Sequence, residues 1–499
     1  MPLSKVAIST GWSVASEHPL GSISGHEILK DGGNAVDAAA AVAFAIAVLQ
    51  HPLGGLGGDF FALYYEAKTG KVHCINSSGW APASMSVEFL KSRGHEGVPF
   101  YGPETTVVPG FVKGVHAFQK RFGTKNFKDL LADAVRYAGD GVPVADGLAR
   151  SIEFNFGGLS EPAKRVFGSG GRPLRAGEIL RQTNLAKAIK DISVKGPEAF
   201  YKGWIADAIC KELTSQGVLY VKKDFDFEPE WVEPLSIDYR GATVYEIPPN
   251  SMGATTLLML DRLGKHDMAG LKPDSSDRVR LMTDAAREAY GRMDEDLGDP
   301  RFVPFDFGRF LGSRGGPGTT HHRENADTTS FAVADKEGNV VGAIQSLFHH
   351  FGSRVYVDGC GILMNNRGSS FRFEGPNRVE PRKRPLHTLS VLMLEKKEGI
   401  SALCCSGGDW RPQQHALFAT NILDYGMSLE DAIDFPRAIL DGRETLRVEA
   451  GYSSLDLLDY EINLLPYPGR VGVAHGVEAK EGIRKGVCDV RGDGIPACG

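Results

Sequence analysis

The chain contains no C-x-x-C pair, no basic block, no internal repeat and no low-complexity tract. Each absence removes a class of function. Seven cysteines, Cys74, Cys210, Cys360, Cys404, Cys405, Cys488 and Cys498, are scattered and odd in number, which argues against a secreted disulfide framework. A formal net charge of −6 without clustered lysine or arginine makes nucleic acid an unexpected partner. The longest apolar run, "AAAAVAFAIAVL" from Ala38 to Leu49, is too short to span a bilayer and rich in small residues, so it reads as a buried helix. The opening "MPLSKVAISTG" shows no charged stretch followed by an apolar one, so no secretory signal is expected. Together these features fit a soluble cytoplasmic protein with no membrane contact. The histidine pairs beginning at His321 and His349 have no Cys, Asp or Glu pattern completing a four-ligand set, and neither metal nor cofactor is expected.

What remains is ordinary globular material: 42% hydrophobic and 24% charged residues over 499 positions. The 61 glycines fall in short clusters that read as turns and close backbone approaches. From "GHEILKDGG" through "INSSGWAP" the order reads helix, loop, helix, glycine turn, strand, turn, strand, with "KTG" joining the last two strands. Residues 113–290 read as mostly helical, interrupted by one strand-like stretch, "ATVYEIPP". Residues 306–327 lack periodicity and read as an exposed linker. Beyond Thr328 strands dominate, followed by one strong helix at "PQQHALFATNILDYG". Antiparallel strands covered by helices on both sides of the linker predict layered sheets between helical layers rather than βαβ units.

The most informative stretch is "TTSFAVADKEGNVVGAIQS", from Thr328 to Ser346. With Asp335–Asn339 as the hairpin loop, the register centres on Glu337 and sets Thr328 opposite Ser346. Two hydroxyls then meet at the open end, within roughly 5 Å at Cβ. Thr and Ser are also common strand residues, and cross-strand pairing alone would account for them. Chemistry appears if the Asp327–Thr328 bond breaks. A threonine hydroxyl is a weak nucleophile, but a neutral α-amino group on the same residue serves as its base. The ordinary α-amino pKa of roughly 7.7 to 8 sets that base close to neutral pH.

The stretch resembles the gamma-glutamyltranspeptidases, N-terminal nucleophile hydrolases that cleave themselves before such a threonine. The resemblance extends over nearly the whole chain, through "GGNAVDAAAAVAFAI", "GLGGDFFALYYEAKTGKV", "VPGFVKGVHAFQKRFG", "AVRYAGDGVPV", "DTTSFAVADKEGNVV", "GILMNNR", "KRPLHTLS", "SGGD", "DAIDFPR" and "DVRGDG". It implies an α+β, four-layer αββα fold with two stacked antiparallel sheets. It also implies cleavage between Asp327 and Thr328 into segments 1–327 and 328–499, which stay together as one folded αβ heterodimer, alone or as a dimer of these. Thr328 becomes the nucleophile and Ser346 its supporting hydroxyl. "TTHH" at Thr319–His322 imitates the "TTH" start of transpeptidases, but "HRENAD" follows it and no strand. Ser330 stands where the "TTH" histidine would be.

"CCSGGDWRPQQHALF" runs from an apolar strand into a helix with Pro412 near its first turn, and free N–H groups at such an entry favour negative charge. By resemblance Gly407 and Gly408 form the oxyanion hole. An ordinary glycine turn is the plainer reading. The other cluster, "GGLGGD" at Gly54–Asp59, follows a helix and enters a strand, the reverse of a phosphate loop, and reads as structural.

The substrate contacts depart from the family. Where transpeptidases hold a glutamyl carboxylate with the arginine of a "GRETAP"-like pattern, "NSSGWAPA" carries Ser78 and Trp80. The Gln and Asp expected after "NN" are Arg367 and Ser370, and the paired serines after "RPL" are His387 and Thr388. The chain is more similar to the subgroup containing oxamate amidohydrolase, although Trp80, Arg354, Trp410 and Arg411 depart from that pattern too. The candidate substrate contacts are Trp80, Arg367, Ser370, His387, Thr388 and Asp409. Arg367 would hold a substrate carboxylate bidentately or form a structural salt bridge; His387 would orient a hydrogen bond and not act as the base. The expected activity is self-cleaving hydrolysis or acyl transfer on a small, carboxylate-bearing, oxamate-like amide. The alternatives are a gamma-glutamyl hydrolase or transpeptidase acting on glutathione-like substrates, a β-lactam side-chain acylase, and a degenerate homologue that only binds.

Overall fold

The computed structural model describes residues 5–499 except 314, 317, 319–327, 453–454 and 457–458. Asp327 and the Thr319–His322 stretch therefore lie outside the described residues. Two seven-stranded sheets form the centre. The first runs Ala497–Cys498, Ser13–Ser16, Thr329–Ala334, Val340–Ser346, Asp59–Glu66, Lys71–Ser77 and Glu230–Val232. The second runs Lys5–Ser9, Ile483–Cys488, Ala474–Lys480, Gly399–Cys405, Leu392–Lys396, Ala242–Glu246 and Leu235–Tyr239. Every pairing in both sheets is antiparallel. Each sheet draws strands from both sides of residue 328.

Side-chain alternation explains the stacking, because successive residues of a strand face opposite ways. Along the central hairpin, Phe331, Val333, Val341 and Ala343 join the helical core on one side. Ala332, Ala334, Val340 and Ile344 join the layer between the sheets. Phe61 and Leu63 enter that layer from the neighbouring strand, and Val391, Met393, Ala402 and Cys404 enter it from the second sheet. The sheets approach closely at Gly342, where an added Cβ would sit 2.5 Å from Val391 Cγ1.

Helices cover both outer faces. Against the first sheet lies Ala35–Leu49, every residue of which is buried. Its start is fixed by an Asn34–Asp37 capping box. Asp37 also accepts from the Thr124 and Lys125 N–H groups and from Gln119 Nε2, so this buried carboxylate is well partnered. Gly253–Leu263, Ser276–Asp296 and Arg411–Leu423 contribute to the core behind the second sheet. The four layers are the αββα arrangement that the resemblance implies, and they match the layered sheets expected from the strand and helix order.

Three local expectations change. Phe307–Gly312 forms a helix inside the expected linker, because Asp306 caps the Arg309 N–H and Phe310 is buried. Leu235–Tyr239 is a further strand in a region read as helical apart from one strand; its edge position leaves alternate side chains exposed and weakens the apolar signal. After the expected helix at Arg411–Leu423, a second one, Leu429–Asp434, follows, capped by Ser428. None of the described helices is long and apolar enough to cross a membrane. All seven cysteines are free, and no cluster of three or more metal-ligating side chains occurs among the described residues.

Candidate active site

The hairpin pairs Ala334 with Val340 and continues to Thr329 with Gln345. One step further, Thr328 Oγ1 donates to Ser346 Oγ at 3.3 Å. That distance is long for a hydroxyl pair. The Phe348 N–H donates to the same Ser346 oxygen at 2.7 Å, which fixes its position. Thr328 is 1% exposed. The "GGLGGD" glycines are structural in a specific sense: a Cβ at Gly54 would lie 2.3 Å from Thr329 Oγ1, and one at Gly58 would lie 2.2 Å from the Ser346 carbonyl oxygen. Only glycine lets this loop press against the end of the hairpin.

Strand Gly399–Cys405 ends at a turn in which Gly407 has φ +117° and Gly408 φ +54°. Gln414 locks the turn, donating from Nε2 to the Ser406 carbonyl at 3.1 Å. The Val473 N–H donates to Ser406 Oγ at 2.9 Å. No acceptor is found for the Gly407 or Gly408 N–H among the described residues. Helix Arg411–Leu423 starts immediately afterwards with Pro412 in its first turn, so its positive end adds to these donors. The arrangement suits a developing oxyanion.

Beside the hairpin lies a buried cluster of charges. Arg367 Nη1 donates to Thr388 Oγ1 at 3.3 Å, its Nε stands 4.0 Å from Asp59 Oδ2, and its guanidinium lies 4.1 Å from the centre of the Phe348 ring. His387 Nε2 is 3.4 Å from the same Asp59 oxygen. Burial holds the His387 pKa well below its ordinary value, assisted by Arg367, Arg384 and Arg411, so the imidazole is neutral. Burial also pushes the Asp59 carboxyl up to about 7, against the pull of Arg367, the Gly79 N–H and Arg384. Phe348 and Thr388 line a cavity of about 720 Å³, together with Ser369, Ser370, Leu386 and Asp409.

The remaining sequence candidates are distributed unevenly. Ser370 Oγ lies 2.9 Å from the carbonyl oxygens of Arg367 and Leu386, so its hydroxyl is committed to the backbone although the residue lines the cavity. Trp80 Nε1 donates to the Asp224 carbonyl at 2.8 Å and its ring packs on Phe227; it does not line the cavity at Thr388 and Asp409. Arg354 stacks on Tyr101 at 3.7 Å. Trp410 packs with Ile439 and Val471 and lines a different cavity of about 710 Å³, shared with Gly407. Arg411 Nε donates to the Cys405 carbonyl at 2.7 Å, bracing the turn from behind. Ser330 Oγ lies 3.2 Å from His475 Nδ1, so a histidine reaches the hairpin from another strand. Sequence reasoning passed over Asp59 and Phe348. The available signal was an aspartate opening the apolar strand "DFFALYY" with the same parity as Phe61 and Leu63.

Two stacked antiparallel sheets between helical layers, with a buried threonine at the end of a hairpin in one sheet and a glycine turn at a strand end of the other, are the architecture of an N-terminal nucleophile hydrolase. The chain belongs to the gamma-glutamyltranspeptidase family: the family pattern described as Gamma-glutamyltranspeptidase matches residues 21–498. It is 34% identical to the Glutathione hydrolase-like YwrD proenzyme of Bacillus subtilis (strain 168), over 99% of both chains. It is 27% identical to the Oxamate amidohydrolase proenzyme of Klebsiella pneumoniae, over 98% of this chain and 99% of that one. The crystal structure of cephalosporin acylase from Bacillus halodurans superposes with a TM-score of 0.90 at 31% identity, covering 99% of this chain and 96% of that one. The protein is therefore an enzyme, a hydrolase of amide C–N bonds, and the relatives named above bear proenzyme names.

Proposed function

We propose that Thr328 is both the cleavage point and the nucleophile, and that the mature enzyme acts on a small amide whose acyl half carries a carboxylate. The observation that supports this is the row of hydroxyls at the hairpin end beside a buried, incompletely paired Arg367. In the intact chain, Thr328 Oγ attacks the Asp327 carbonyl and the C–N bond breaks, giving an ester. Water opens the ester, leaving an Asp327 carboxylate and a free Thr328 amine. Segments 1–327 and 328–499 remain interleaved, since each sheet takes strands from both.

In turnover, the Thr328 amine takes the hydroxyl proton as Oγ attacks the substrate carbonyl. The Gly407 and Gly408 N–H groups stabilise the oxyanion, a contribution of a few kcal/mol. The amine half leaves with the proton, and water, or an acceptor amine, resolves the acyl ester. His387, neutral and 3.4 Å from Asp59, orients and does not act as a base. Thr388, Ser370 and Asp409 shape the acyl side.

A second reading, a gamma-glutamyl hydrolase acting on glutathione-like substrates, is favoured by the relative at 34% identity that bears the name glutathione hydrolase-like. A hydrolysis screen separates the two. Oxamate and glutaryl amides turning over faster than a γ-glutamyl anilide supports the first reading; the reverse ranking rejects it in favour of the second.

A further inference from the structure

Three adjacent strands bring Thr328, Ser346 and Asp59 into one row. Thr328 donates to Ser346 across the hairpin, and Ser346 is the cross-strand partner of Asp59. Asp59 has the parity of Phe61 and Leu63, so its carboxyl enters the layer between the sheets. Its Oδ1 accepts from the Gly79 N–H at 2.8 Å. Its Oδ2 has no hydrogen-bond donor among the described residues and faces His387 at 3.4 Å and Arg367 at 4.0 Å.

Arg367 is equally under-served. It is fully buried, spends one N–H on Thr388, and has no acceptor for Nε or Nη2 among the described residues. A 4.0 Å separation is too long for a hydrogen bond, so Asp59 balances the charge of Arg367 without satisfying its donors. A planar guanidinium with open N–H groups fits a carboxylate in a two-point contact. Between it and the cavity stands the Phe348 ring, on a residue whose φ of +87° is unusual for a phenylalanine.

We propose that Asp59 is the resident counter-anion of Arg367, and that a small carboxylate entering from the cavity replaces it, with Phe348 swinging aside and Asp59 taking up a proton from solvent. This rests on the reading of Arg367 as the acyl-carboxylate site. Two carboxylates beside one guanidinium cannot both stay ionised cheaply, so the arriving anion raises the pKa of the resident one. The other groups facing Asp59 do not take the proton: His387 is held neutral by burial, Arg384 is paired with Glu230 at 2.7 Å, and the Gly79 N–H only donates. Arg411 and Asp409 act on Arg367 with opposite signs. Because burial already sets the Asp59 carboxyl at about 7, the coupling falls in the neutral range. Its sign is fixed: protonated Asp59 favours the bound anion, so affinity falls as pH rises through and above that value.

The test is calorimetric titration of glutarate, and of its uncharged diamide, into the purified self-processed protein from about pH 6.5 to about pH 8.5, where glutarate itself stays ionised. Full linkage predicts a loss of affinity approaching about tenfold per pH unit at the upper end. Asp59→Asn, which keeps an acceptor for Gly79, should flatten the profile and tighten glutarate binding at the upper end. Arg367→Met should abolish glutarate binding, Phe348→Ala should strengthen it at every pH, and the diamide should follow none of these changes. A flat wild-type profile, a slope that survives in Asp59→Asn, glutarate binding that survives in Arg367→Met, or no glutarate binding at all would each overturn the proposal. The mass of the same samples reports cleavage: cleaved protein without linkage defeats only this inference, whereas uncleaved protein defeats the reading beneath it.

Discussion

The Thr328 hairpin and the Arg367 pocket are neighbours but are held by opposite physics. Apart from its hydroxyl end, the hairpin is fixed by an unbroken antiparallel ladder and by apolar side chains on both faces. The pocket is fixed by charges: Arg367, Asp59 and His387 are all fully buried, and several of their polar atoms lack hydrogen-bond partners among the described residues. Geometry of the first kind is insensitive to pH and ligand. Geometry of the second kind is poised to change with either, because a buried and half-satisfied charge gains most from a new partner. In the proposed function one region supplies the reaction and the other the choice of substrate.

Substitutions sharpen that contrast. After removal of the Thr328 hydroxyl itself, the largest loss is expected from Gly407→Ala: its Cβ would lie 2.4 Å from Gln414 Nε2 at a φ that disfavours alanine, displacing the proposed oxyanion donors. Steady-state kinetics should show kcat lower by roughly 10² to 10³-fold, with KM moved far less. Ser346→Ala removes a single neutral hydrogen bond to the nucleophile and should slow both self-cleavage and turnover by about tenfold, a loss of about 1.4 kcal/mol. Cleavage followed by electrophoresis and turnover followed kinetically should fall together; slowing of one alone would separate Ser346 from the nucleophile. The smallest effect is expected from Thr388→Val, which strands Arg367 Nη1 and should raise KM for a carboxylate-bearing substrate a few-fold through about 1 kcal/mol. If Thr388→Val lowered kcat instead, the division of labour between hairpin and pocket would fail.

The hairpin was legible in the sequence because a two-residue period admits only one register around the Asp335–Asn339 loop, and that register pairs the hydroxyls. The glycine turn was legible as a strand end running into a proline-started helix. Asp59 was not, because a glycine cluster hid it and nothing local distinguishes a buried aspartate from a turn residue. Its meaning depends on Arg367 and His387, which are hundreds of positions away and reach it only through the stacking of sheets. Trp80 is the converse case. Alignment with a family motif set it at the substrate, while its indole is committed to Asp224 and Phe227. The helix at Phe307–Gly312 was hidden by the polar, glycine-rich residues around a short apolar core.

In the proposed mechanism Thr328 becomes the amino terminus and does the chemistry. Intact mass and amino-terminal sequence of the purified protein after incubation, beside Thr328→Ala, test it directly. Two fragments are expected, the smaller beginning Thr-Thr-Ser-Phe-Ala, with the variant remaining one chain and losing turnover by at least about 10³-fold. A wild-type chain that turns over substrate while uncut, or a Thr328→Ala chain that still cleaves or retains activity, would contradict it.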